Sequence, residues 1–266
     1  SNVQVLEALC CAMHNLATAP TCWQEARTHE VIPRIFEIVD KHPDEADLQT
    51  AAFALLWNFA VSIEMAHDLI NDRAFERIAT AFKRFNDRPG VLAPAVGLMR
   101  NLLSSPDVGR GAAKQCMRQV GYRTILDMMW GYGLPQESAS AAAAPPTNDG
   151  KAQEVASDRT ILVEQILAAM NNIAKLPRDH NDFFGKLVEE MIAHDEAKQL
   201  RFLLESNPSS PMVQYQGFGL ISHLLIGRRR LKVHFVGFGV HVTQMISRHQ
   251  GTPVSDTGEL LLEEVA

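Results

Sequence analysis

Cys10 and His14 stand four residues apart, one helical turn, with Cys22 downstream. A thiolate and an imidazole on one helix face could begin a zinc site. The pattern goes no further. Cys10 lies in an apolar stretch, where a free cysteine buried as a small hydrophobe is the commoner outcome. The ten histidines never form H-E-x-x-H, and no C-x-x-C pair exists. Gly-Phe-Gly occurs twice, at Gly217–Gly219 and Gly237–Gly239. Neither copy follows a strand or completes a phosphate loop, and close helix packing is the simpler use of such glycines. No Gly-x-Ser-x-Gly elbow is present. The one dense basic run, Gly227–His234, carries Arg228, Arg229, Arg230 and Lys232. It could dock an acidic peptide or an anionic lipid surface, or be a solvated loop onto which the acidic C-terminal "ELLLEEVA" folds back. No catalytic site, metal site or cofactor emerges, so a binding protein is expected rather than an enzyme.

The elements that carry the remaining candidates repeat. Asn15, Asn58 and Asn101 are 43 residues apart, Asn172 begins a fourth copy, and His223 holds the slot in a fifth. Ten residues before the slot come Val5, Leu48, Val91, Leu162 and Val213; one after it come Leu16, Phe59, Leu102, Ile173 and Leu224. With the apolar residues two and three before, these positions form one stripe of a helix. Two shorter helical patterns follow each such helix. After Asn15 they are Cys22–Thr28 and then "VIPRIFEIVDKH", where Pro33 falls in a first turn and is tolerated. Repeats of this length stack into solenoids with a long concave face. From Pro135 to Asp158 the periodicity gives way to Pro, Ser, Ala and Gly, the signature of a flexible insertion. Removing about 28 residues there restores the period.

Composition narrows the class. The chain is 46% hydrophobic and 21% charged, and no run approaches the roughly 18 apolar residues of a membrane helix. A net charge of −6 argues against general nucleic-acid binding. Four cysteines fit a reducing compartment better than a disulfide framework. A cytoplasmic location is expected, with the nucleus left open. The first residues lack the pattern of a signal peptide and begin partway into a repeat, which leaves room for sequence upstream.

"LMRNLL" around Asn101 and "MNNIA" around Asn172 resemble the third helix of armadillo repeats, as in beta-catenin and importin-alpha. The resemblance spans nearly all of the chain outside the insertion. It implies an all-α fold: a right-handed armadillo-type solenoid of about five three-helix repeats, one domain over residues 1–266 with the insertion at 135–158. It also implies a non-enzymatic scaffold or adaptor that holds an extended or helical segment of a protein partner in the groove. In that family the third-helix asparagine lines the groove and grips peptide backbone with its amide, one donor and one acceptor. The resemblance carries this role to Asn15, Asn58, Asn101 and Asn172, with Asn171 adjacent; His223 departs from the pattern. Trp57 and Arg100, immediately before the slot, are residue types that dominate binding hot spots.

Importin-alpha places tryptophan four residues before the asparagine. Here those positions are Cys11, Ala54, Gly97, Ala168 and Gly219. Without tryptophan slots the chain is not expected to be a classical nuclear-signal receptor, and the small residues suggest an open floor. Other uses remain open: the asparagines bonding neighbouring backbone to hold the stack, Trp57 as packed core, an armadillo-type co-chaperone acting on a heat-shock ATPase, or a metabolite-sensing domain.

Overall fold

The computed structural model describes residues 2–105, 107–134, 150–176, 183–226 and 229–265. The chain divides into two compact units, Ser1–Gly121 and Tyr122–Ala266. Among the described residues the only regular structure is helical, as the periodicity required.

In the first unit three long helices, α1 (Asn2–Leu16), α4 (Ala46–Phe59) and α7 (Pro89–Ser104), lie side by side with α4 in the middle. The shorter helices α2 (Thr21–Thr28), α3 (Val31–Lys41), α5 (Ile63–Asn71), α6 (Ala74–Arg84) and α8 (Gly109–Gln119) run between and behind them. Ile32, Ile35, Phe36 and Val39 make the buried stripe of α3, and Phe75, Ile78, Ala79 and Phe82 make the same stripe in α6. Spacings of three and four place each set on one helix face, which is why these short segments fold only against their neighbours. Ser62 caps α5 by accepting from the Met65 amide at 3.4 Å. The turn into the second helix of a repeat is left-handed at Glu30 (φ 51°) and Arg73 (φ 61°), and again at Gly121 (φ 84°), where glycine avoids the Cβ clash.

The second unit holds α9 (Tyr122–Gly133), α10 (Gly150–Lys175), α11 (Phe183–Ala193), α12 (Ala197–Ser206), α13 (Pro211–Leu225), a 3₁₀ helix (Arg229–Phe235), α14 (Gly239–Arg248) and α15 (Pro253–Val265). Here α10 packs on α13, and α15 packs on α13 and α14. The acidic tail thus forms another long helix, packed beside α13. Of the expected insertion, residues 135–149 lie outside the described residues. Residues 150–158 form the first turns of α10, which reaches 26 residues because Lys151, Ala152, Gln153 and Glu154 are good helix formers.

One device joins short and long helices in both units. Gln49, buried, donates its amide hydrogens to Val39 O and His42 O, both at 2.9 Å. Gln214 does the same to Leu204 O (2.8 Å) and Asn207 O (2.9 Å). Each glutamine stands nine residues before the asparagine slot and caps terminal carbonyls of the preceding helix; His42 O, Leu204 O and Asn207 O each also accept a backbone amide, from Glu45, Asn207 and Ser210. No helix among the described residues is long and apolar enough to cross a membrane.

Candidate partner-binding face

The asparagine slots of the first unit fall on adjacent ends of α1, α4 and α7. Asn58 is half-buried; its Nδ2 donates to His14 O at 3.0 Å and lies 3.1 Å from His14 Nδ1. Asn101 is 8% exposed, and its Nδ2 donates to Trp57 O at 3.1 Å. The rule is the same in both cases: the amide reaches back to the carbonyl that precedes the slot on the previous long helix. Those carbonyls sit in a last helical turn. The Val61 amide bonds Asn58 O, so Trp57 O is left for Asn101. The ladder therefore caps one long helix from the next. Asn15, on α1, is exposed, and its carbonyl accepts from Thr18 Oγ1 at 2.8 Å.

The residues beside the slot interlock as well. An added Cβ at Gly97 would stand 2.6 Å from the Trp57 ring, so the ring lies directly on the Gly97 backbone. The small residue expected to leave an open floor instead admits the protein's own tryptophan. Arg100 completes the cluster. Its guanidinium carbon lies 5.6 Å from the Trp57 ring centroid, a cation–π distance. Its Nε and Nη2 donate to Asn101 Oδ1 at 3.2 and 2.9 Å. Burial lowers the Arg100 pKa from the ordinary arginine value. Trp57, Asn58 and Arg100 each keep part of their surface in solvent. A partly exposed aromatic fixed from below by glycine and from the side by arginine is rigid, with little side-chain entropy left to lose.

In the second unit Asn171, beside the slot, makes an inter-helix bond. Its Nδ2 donates to Gln216 O (2.7 Å) and Gln216 Oε1 (2.9 Å), it is 4% exposed, and it lies against Gly219. Asn172 and His223 are half-buried, with the His223 ring edge-on to Phe184 at 6.5 Å. Of the basic run, Arg229 and Arg230 fall in the 3₁₀ helix, Lys232 is half-buried there, and Arg228 lies outside the described residues.

Cys10 is buried, and burial together with the neighbouring Cys11 pushes its thiol pKa up to about 11. Among the described residues no three His, Cys, Asp or Glu side chains gather as metal ligands would. The sequence reading missed the two capping glutamines and the pairing of Trp57 with Gly97. Both signals were available at fixed offsets from the slot, nine before it for the glutamines and four before it for the glycine.

No family model matches the chain, and no curated protein matches it. Solved structures do. A designed armadillo repeat protein in complex with the peptide (KR)4 superposes with a TM-score of 0.65 at 13% identity, over 99% of this chain and 94% of that one. Another computationally designed armadillo repeat protein for modular peptide recognition gives 0.67 at 14% identity, over 99% and 94%. A chain from a study of the interaction between cadherin and beta-catenin gives 0.66 at 16% identity, over all of this chain and 50% of that one. At these identities the likeness is one of fold. The protein has the all-α architecture of an armadillo-type repeat solenoid.

Proposed function

We propose that the protein is a non-enzymatic scaffold that binds a segment of a protein partner on the face carried by its long third helices. The observation behind this reading is the Trp57–Arg100 cluster. It combines the two residue types most enriched in hot spots, preorganised on a glycine and partly open to solvent. A structural neighbour solved with a peptide, and another from a study of the interaction between cadherin and beta-catenin, give the reading its precedent. Trp57, Arg100, Asn58 and Asn15 are the contact residues of this proposal. Asn101 and Asn171 act from behind, because they are buried, unlike Asn58 and Asn15, and their Nδ2 groups bond the protein itself. Asn172, His223 and the basic residues at 228–232 are proposed contacts of lesser weight. A lysine-rich nuclear signal is not the proposed cargo: Gly97, where a tryptophan slot would stand, lies under Trp57.

The test is affinity capture of the partner, followed by titration of the purified partner against the parent chain, Trp57→Ala and Arg100→Ala, each checked for retained helicity. Truncating a central aromatic anchor should weaken binding by about 2 kcal/mol, roughly thirtyfold. The peptide (KR)4 should show no measurable affinity. Unchanged affinity in both variants moves the binding site off this face.

A further inference from the structure

Five residues stand immediately before the slot: His14, Trp57, Arg100, Asn171 and Ser222. Only His14 can change near neutral pH from accepting a hydrogen bond to donating one. A single atom, Asn58 Nδ2, touches both His14 O at 3.0 Å and His14 Nδ1 at 3.1 Å. The first contact settles the chemistry of the second. A carbonyl only accepts, so the amide must turn its NH2 group this way, and an NH2 group only donates. His14 Nδ1 is therefore an acceptor: the ring is neutral and its proton sits on Nε2. A charged ring carries a proton on both nitrogens, which sets Nδ1–H against the amide hydrogens. Turning the amide over sets Asn58 Oδ1 against His14 O instead. No orientation of the Asn58 amide serves both His14 O and a charged His14 ring.

We propose that the His14–Asn58 joint is a proton-operated latch on the binding face, closed while His14 is neutral and opened when it takes up a proton. The proposal rests on the reading of that face given above. Asn58 is one of its contact residues and adjoins Trp57 in α4. Opening swings the imidazole or the amide away and loosens a surface whose affinity depends on preorganisation. His14 and Asn58 are both half-buried, so water reaches the joint. On α1, Glu7, Cys10 and Cys11 share the His14 side of the helix by their spacing. The helix packed on α1, α4, carries one titratable group, Asp47, in its first turn; α2 carries Cys22, Glu25 and Arg27. Among the described residues none of these forms an ion pair with His14. One repeat on, the bond from Asn101 to Trp57 O involves no group that titrates near neutral pH, so the sensitivity belongs to the first joint.

The experiment is nitrogen NMR of the full chain with labelled histidine and asparagine. At about pH 8 His14 Nδ1 should carry no proton, and by about pH 5 it should carry one. The Asn58 side-chain amide signals should move along the same curve. Affinity for the partner purified for the Trp57→Ala titration should fall about fivefold over that range, the worth of one hydrogen bond. His14→Gln, which cannot change charge, should abolish the fall while its circular dichroism matches the parent. A proton on Nδ1 at about pH 8, or Asn58 signals that ignore the His14 titration, overturns the latch. So does an equal fall in affinity in His14→Gln. If Trp57→Ala binds the partner like the parent, the reading of the face fails instead, and the NMR signals still decide whether the joint opens.

Discussion

Replacing Asn101 with alanine separates the two uses of the ladder. In the folded chain its Nδ2 caps Trp57 O, and its Oδ1 accepts twice from Arg100. Alanine leaves Trp57 O in a joint between α4 and α7 without this donor, and an unmet buried acceptor costs about 1–3 kcal/mol. The Arg100 bonds add little, because a half-buried guanidinium can turn toward water. The expected loss is therefore about 2 kcal/mol, or a fall in thermal midpoint of about 4–8 °C for a chain of this size. Asn15→Ala is the internal control. The side chain is exposed at the end of α1, and surface changes of this kind stay within about 0.5 kcal/mol. Urea and thermal unfolding followed by circular dichroism give both numbers. If Asn101→Ala proves as stable as Asn15→Ala while partner affinity collapses, the capping account is wrong, and the amide belongs to the partner as the family resemblance implies.

Three further outcomes follow from the packing. Gly97→Ala drives a methyl group into the Trp57 ring; we expect a loss of about 1–3 kcal/mol and a red-shifted Trp57 emission, measured with Trp23 and Trp130 replaced by phenylalanine. An unshifted spectrum would show that the ring does not rest on Gly97. Gln49→Ala strips Val39 O of its cap while His42 O keeps the Glu45 amide, and should cost about 1–3 kcal/mol in urea unfolding, with a smaller loss in Gln214→Ala, whose two carbonyls keep the Asn207 and Ser210 amides. A loss below about 0.5 kcal/mol in both would reduce these bonds to bystanders. His241 is half-buried, stacked on Phe238 and bonded to Gln214 Oε1. Burial lowers its pKa, assisted by Arg201 and opposed by Glu205. The unfolded chain then takes up a proton that the folded chain declines, so stability is full above about pH 7 and falls as the pH drops below the free histidine value near 6.5. His241→Gln should flatten that acid limb in a pH series of unfolding midpoints; an identical limb would place the titration elsewhere.

Period, helix order and core stripes were legible in the sequence because burial imposes them on residue type. The positions ten before and one after the slot are apolar in every copy, and from Leu48 and Phe59 onward they are buried in the fold. The candidate site was legible in register but not in chemistry. That Asn58 and Asn101 share a face with Trp57 and Arg100 follows from a 43-residue step. Which partner each amide takes depends on where the previous helix ends, and helix ends are set by competition among a few backbone bonds. The start of α10 escaped for the opposite reason. Ala, Lys, Gln and Glu before the apolar stripe favour a helix without any periodic burial to announce it, so composition alone reads as linker.

The capping ladder and the exposed cluster are physically linked. An asparagine that bonds the carbonyl of residue 57 fixes the backbone from which the Trp57 side chain departs, and the next helix supplies both the glycine beneath the ring and the arginine at its side. Three residues within five positions of α7 thus position one residue of α4. On the proposed binding face, recognition would rest on side chains held in place beforehand, with the Asn58 and Asn101 amides engaged in the stack. Affinity for a partner should then follow its side-chain sequence at the Trp57–Arg100 cluster more closely than its main-chain hydrogen bonding there, because the Nδ2 donors of Asn58 and Asn101 are already bonded within the stack.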